Sequence, residues 1–179
     1  MNAFAPDSSI HPSDNGRAIR SQLGALCWRL RNGEPEVLLV TSRDTGRWVI
    51  PKGWPIENLT APAAAAREAW EEAGVEGRVD PLCLGYYSYE KILGRQSKVT
   101  PDPQRSVTCL VAVYPVRVEQ LLDVFPEVHQ RRRKWFSPTK AARKVDEREL
   151  QALLRDTAPL LVSHGLIDPP GSDKAERKA

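Results

Sequence analysis

Residues 53–75 read GWPIENLTAPAAAAREAWEEAGV, and this stretch leaves its chain few choices. Alanines 63–66 have the highest helix propensity of any residue, so the run commits the backbone to a helix. Thr60 precedes it, with a hydroxyl able to accept from a free N–H of the first turn. Pro62 falls within that turn, where a missing N–H costs little. Gly74 supplies the stop, because it enters the left-handed region without a Cβ clash. The spacing predicts a helix over 61–73.

That helix carries Glu68, Glu71 and Glu72, which positions three and four apart place on one face. Like charges on one face repel. Late in a helix they also oppose the macrodipole, by about 0.3–1 kcal/mol each when exposed. Arg67 can pair with Glu71, but one cation does not neutralise three anions. A solvated helix surface is the plain reading. The alternative is a nest of hard oxygen ligands for Mg²⁺ or Mn²⁺, whose binding relieves the repulsion. The alanines and Trp70 favour the second reading, because they suggest a helix packed on both sides.

The rest of the chain alternates strands and helices. QLGALCWRL, EVLLVTS and RWVIP read as strands, followed beyond the helix by GRVDPLCLGYYSY as one extended segment and RSVTCLVAVYPV as a strong strand. VEQLLDV reads as a short helix, RRKWFS as an edge strand, and DERELQALLRDTAPLLVSHG as a terminal helix that Pro159 kinks or interrupts. KILGRQSKVTPDPQ is a polar loop. The pattern implies an α/β domain with helices on both sides of a sheet. With 179 residues, a single domain over 17–167 is expected between disordered tails at 1–16 and 168–179.

Hydrophobic residues make up 41% of the chain, yet no apolar run approaches the roughly 20 residues of a membrane span. The N-terminus lacks the basic start and apolar stretch of a secretory signal. Cys27, Cys83 and Cys109 are odd in number, far apart and set in apolar runs, which fits free thiols in a reducing compartment, the cytoplasm. Neither the cysteines nor His11, His129 and His164 show a metal-ligand spacing. A net charge of +3 says little, and the block Arg131, Arg132, Arg133 and Lys134 reads either as a solvated face or as a polyanion surface.

The stretch 53–75 resembles the Nudix box, with Gly53, Arg67, Glu68, Ala69, Glu71, Glu72, Gly74 and Val75 at matching positions. One position departs: Leu59 stands for the first glutamate, and Glu57 is two residues out of register. The resemblance implies an α/β/α sandwich with a mixed sheet between helices. It also implies a hydrolase that cleaves diphosphates with Mg²⁺ or Mn²⁺. On that reading Glu68 and Glu72 are the main metal ligands. Glu71 is a third ligand, or orients or deprotonates the attacking water. A carbonyl near Lys52–Gly53 completes the shell, and Arg67 and Gly74 are structural. Leu59 leaves open a binding-only role.

The segment RDTGRWVIPKGW is most like the branch acting on diphosphoinositol polyphosphates and dinucleoside polyphosphates. In that branch Arg20, Arg43, Arg47, Lys52, Arg95, Lys98 and Arg105 would bind phosphate, with Lys91 in the same basic loop. Guanidinium forks favour a highly phosphorylated small molecule. Nucleic acid and membrane are not expected as partners. A nucleotide-sugar or oxidised-nucleotide pyrophosphatase and a polyanion-binding module are the competing readings. Glu127 is the candidate base outside the box, with His129 behind it. Tyr86, Tyr87 and Tyr89 read as core or rim. Trp48 and Trp54 flank the box, and either stack a base or pack under the loop. The sequence leaves the oligomeric state open.

Overall fold

The computed structural model describes residues 11–12, 18–92 and 106–169. Two long strands run parallel at its centre, β2 (Ala18–Arg31) and β8 (Ser106–Leu121), in register from Ile19 opposite Thr108 to Trp28 opposite Arg117. Their length lets each hold different partners along its course. Along β2, the start pairs with β1 (His11–Pro12), the middle with β5 (Lys52–Gly53) and the end with β3 (Glu34–Thr41), all antiparallel. Along β8, β7 (Gly85–Ile92) and then β6 (Val75–Val79) pair antiparallel, while β4 (Trp48–Val49) and β9 (Arg133–Phe136) pair with β3. The result is a mixed sheet with α1 (Ala61–Ala73) on one face and α2 (Pro138–Ala142), α3 (Arg148–Arg155) and α4 (Thr157–Ser163) on the other.

β3 shows why the sheet lies between helices. Its side chains alternate, as in any strand, but both sets are buried. Leu38 and Val40 join Ala64, Ala65, Ala69 and Ala73 of α1, while Val37 and Leu39 join Leu150, Leu154 and Leu161 of the C-terminal helices. The α/β/α sandwich read from the sequence is the fold observed.

The helix over 61–73 forms as its local signals dictate. Thr60 Oγ1 accepts from the Ala63 N–H at 3.4 Å, and Gly74 ends the helix at φ 63° with its N–H shared by the Ala69 and Trp70 carbonyls. A Cβ at Gly74 would also stand 2.6 Å from Phe125, so glycine is required for packing as well as conformation.

Three expectations need correction. GRVDPLCLGYYSY is two strands, β6 and β7, parted by a turn in which the Asp80 and Leu84 N–H groups donate to Pro115 and Val113 carbonyls of β8. VEQL is the end of β8 rather than a helix: Val118 and Leu121 lie opposite Gly77 and Val75, and this ladder outweighs local propensity. The terminal helix is interrupted as expected: it divides at Asp156, ahead of Pro159, whose ring would meet the carbonyl of Arg155 if one helix ran through. α2 is an additional short helix. In the N-terminal stretch read as a tail, residues 11–12 form β1, and most of the basic loop over 91–104 lies outside the described residues.

Candidate active site

α1 is docked so that Glu68 and Glu72 face β5 and the loop between β8 and β9. Glu72 is buried, its side chain 8% exposed. Its Oε2 accepts the Lys52 backbone N–H at 3.2 Å, and its Oε1 accepts from Arg131 Nη2. Burial pushes the Glu72 carboxyl above its ordinary range, an effect opposed by Arg131 and then Lys52. Glu68 rests against Gly53, where a Cβ would stand 2.0 Å from its Oε1, so only glycine admits the carboxylate. Burial first, then the charges of Glu72, Glu71 and Glu127, push Glu68 up to about 7.

Glu127 reaches the same place from its loop, which is anchored by its N–H donating to the Glu71 carbonyl at 3.1 Å. Its carboxylate takes Arg43 Nη1 at 3.0 Å on one oxygen and Arg131 Nε on the other. Arg131 completes its fork on the Thr41 carbonyl at 3.0 Å. Glu71 turns aside: its Oε1 accepts from Arg67 Nε at 2.6 Å, and the Arg67 guanidinium lies over Trp70. Leu59 is 45% exposed and lines a surface groove with Arg67 and Trp70. Arg67 has therefore taken Glu71 as its partner where the box would offer a glutamate at 59.

Carboxylate oxygens beside a glycine cradle suit a hard divalent cation, so the donor set fits Mg²⁺ or Mn²⁺. Among the described residues no three His, Cys, Asp or Glu side chains converge as a ready metal group. Arg131 stands between Glu72 and Glu127.

A second cluster adjoins the first through Lys52. The Lys52 ammonium lies over the Tyr89 ring at 5.2 Å, and the Tyr89 hydroxyl donates to Gln22 at 2.7 Å. Burial lowers the Lys52 pKa, which Glu72 partly offsets. Arg20 and Lys91 both lie over the ring of Trp54, at 4.5 and 4.9 Å. Among the described residues, Arg20, Lys52 and Lys91 have no carboxylate within 4.0 Å.

The other candidates are dispersed. Arg47 is drawn to Asp146 at 2.6 Å and Glu147 at 3.6 Å. Trp48 packs edge-on to Phe136 at 5.3 Å, in the core. Tyr87 is buried, Tyr86 exposed and His129 exposed. Arg95, Lys98 and Arg105 lie outside the described residues. The block Arg131–Lys134 is not one surface: Arg131 enters the carboxylate site, Arg132 lies over Trp48, Arg133 caps the Ala73 carbonyl at 2.6 Å, and Lys134 lies over Phe136. Sequence reasoning missed the role of Arg131 and the half-buried Glu147 beside Arg47, because each is defined by a partner distant along the chain.

Residues 20–156 match the NUDIX domain family model. The chain is similar to Nudix hydrolase 13, mitochondrial, of Arabidopsis thaliana, 30% identical over 132 residues covering 73% of this chain and 63% of that protein. It is also similar to human diphosphoinositol polyphosphate phosphohydrolase 3-alpha, 32% identical over 121 residues covering 66% of this chain and 64% of that protein. The chain thus spans less than two thirds of the length of these relatives. Its fold is similar to that of a C. elegans Ap4A hydrolase in a binary complex, with a TM-score of 0.56 at 20% identity, over 80% of this chain and 98% of that one. With the family match running through the box and the cleft around it, the chain belongs to the Nudix family.

Proposed function

We propose that the protein is a divalent-metal-dependent pyrophosphohydrolase that opens a phosphoanhydride bond in a highly phosphorylated small molecule by water attack. The observation that supports this most is the position of Lys52. Its backbone N–H holds the Glu72 carboxylate, and its ammonium lies over the Tyr89 ring with no carboxylate within ion-pair range among the described residues. Anion-repelling and anion-seeking groups thus share one residue as their hinge.

The Nudix family generally uses divalent metal ions. Glu68, Glu72 and the carbonyl region of Gly53 would hold Mg²⁺ or Mn²⁺, with Glu71 as a further ligand. When bound, the ion supplies charge screening and a more acidic water. Glu127, entering from outside the box, would take the proton of the attacking water, and Glu71 would help orient that water. Arg67 holds Glu71 in place.

Lys52, Arg20 and Lys91, with Arg43 at the rim, would bind the substrate phosphates. Phosphoryl transfer asks chiefly for such positioning and charge stabilisation. Because Trp54 carries two cations on its ring, it serves phosphate recognition better than base stacking. Diphosphoinositol polyphosphates and diadenosine polyphosphates are therefore the expected substrates. The free Cys27, Cys83 and Cys109 suit a reducing compartment, with the cytoplasm as our reading. No helix among the described residues is long and apolar enough to cross a membrane.

A second reading is a module that binds polyanions without cleaving them. Leu59 favours it, standing exposed where the box has a glutamate. One panel separates the two: release of phosphate or a mononucleotide from diphosphoinositol polyphosphates, diadenosine polyphosphates, ADP-ribose and nucleoside triphosphates, with magnesium and with chelator. Magnesium-dependent turnover, fastest on the first two, is expected. Fastest turnover on ADP-ribose would overturn the substrate class. Salt-sensitive binding without turnover across the panel would establish the second reading.

A further inference from the structure

The Arg131 guanidinium is 6% exposed and uses its whole fork inside the carboxylate site. One nitrogen donates to Glu72, one to Glu127 and one to the Thr41 carbonyl at 3.0 Å. Its backbone is fixed as well, with its own N–H donating to the Glu127 carbonyl at 3.2 Å and the next residue bonded both ways to Thr41 at 2.9 Å. A buried planar cation between two carboxylates is strongly held, because removing either partner leaves a charge unpaired away from water. Glu72 is a metal ligand on the reading above, and Glu127 its base. Arg131 therefore occupies one oxygen of each. A divalent ion entering beside it would meet a like charge at close range in a partly dry site, where such repulsion is poorly screened.

We propose that Arg131 is a resident counter-cation: it neutralises Glu72 and Glu127 in the metal-free protein and gives up those contacts when a divalent ion takes the carboxylates. The inference rests on the metal-dependent reading. It accounts for the way Glu72 and Glu127, two carboxylates that repel, share a single buried guanidinium. Arg131 exchanges a compact ordered site for a more stable empty one. The same contacts set a threshold, since only an ion whose charge and fit outweigh a buried double ion pair displaces the guanidinium.

The two consequences have opposite signs, which a purely structural arginine would not produce. In Arg131→Gln, manganese binding measured by calorimetry is expected to tighten about tenfold or more, while melting in chelator falls. Arg131→Lys, shorter but still charged, should lie between. A folded Arg131→Gln protein that binds manganese no better than the parent would overturn the inference. A second measurement uses the unaltered protein, so that a variant failing to fold decides nothing by itself. The Arg131 Nε–H resonance, identified by its absence from Arg131→Lys, should shift or gain exchange with water as magnesium is added. Magnesium binding with that resonance unmoved would overturn this inference alone. An absence of magnesium binding would remove the metal-dependent reading with it.

Discussion

The carboxylate nest and the cation cluster lie on either side of Lys52, and they are neutralised to different degrees. Glu72 has both oxygens occupied, by the Lys52 N–H at 3.2 Å and by Arg131. Glu127 is held by Arg43 and Arg131, and Glu71 by Arg67. On the other side of Lys52, Arg20, Lys52 and Lys91 rest on aromatic faces, and among the described residues none has a carboxylate within 4.0 Å, although Glu72 attracts Lys52. A ring contributes about 0.5–1 kcal/mol to a cation at an exposed site and leaves its charge intact. A charge-assisted carboxylate pair is stronger and cancels the charge. Among the described residues, the nest therefore contains its own counter-ion, while the cluster carries charge that no carboxylate contact cancels. On the function proposed above, this asymmetry suits a polyphosphate substrate: fixed cations for the part that stays, and replaceable charge where the bond breaks.

The largest effect should come from the nest. Glu72→Gln keeps an oxygen for the Lys52 N–H but removes the charge facing Arg131, so the helix and its docking survive. A loss of roughly 100-fold or more in kcat is expected, in line with the removal of one well-placed electrostatic group. Circular dichroism should remain near that of the parent, while melting in chelator should fall, because Arg131 loses one of its two carboxylate partners. Full turnover in Glu72→Gln would break the comparison, because the buried carboxylate would then be no more than a structural partner of Arg131.

The cation cluster should respond more gently, and in a different constant. Trp54→Ala removes the surface that holds Arg20 and Lys91, and Trp54→Phe retains a ring. KM for a diphosphoinositol polyphosphate is expected to rise about threefold to tenfold in the alanine variant, as two weak contacts are lost, with kcat little changed and phenylalanine restoring most of the difference. The comparison sharpens with the choice of substrate. If Trp54 stacked a base, KM would rise for diadenosine polyphosphates and stay flat for the inositol compounds, and the platform reading would fail.

The sequence resolved these two regions unequally. The helix of the nest was read to its last residue because Thr60, Pro62 and Gly74 are local signals, and Glu68 and Glu72 follow from helical periodicity. The cluster was seen only as scattered basic residues. Arg47, read into the cleft, turns instead to Asp146, which is 99 positions away and carries no signal near it. Arg131 looked like one of a run of four, yet alternation along β9 and the loop before it sends each member elsewhere. Its partner Glu72 lies 59 positions earlier. The end of β8 failed for the same reason: Val118 and Leu121 pair with β6, a contact that no window of local sequence contains. Periodicity and caps were readable, while partners brought together by tertiary packing were not.

Glu68 is the exception within the nest, and it yields the smallest effect. No hydrogen bond or ion pair holds its carboxylate among the described residues, and burial with the charges of Glu72, Glu71 and Glu127 raises it to about 7. In the unfolded chain it titrates near 4.5. Between those values the folded protein binds more protons than the unfolded one, so stability falls as pH rises. The contribution is complete below about pH 4.5, declines through the window and is spent above about pH 7. Glu68 is partly exposed, and solvent screening limits the drop to about 2–4 °C in the melting temperature of the metal-free protein. Glu68→Gln should flatten the slope across that window, and added magnesium should do the same in the parent by supplying the missing counter-charge. Parallel melting profiles for parent and Glu68→Gln in chelator would show that Glu68 is as well neutralised as its neighbours. The nest would then be uniformly balanced, with no carboxylate left to draw the ion in.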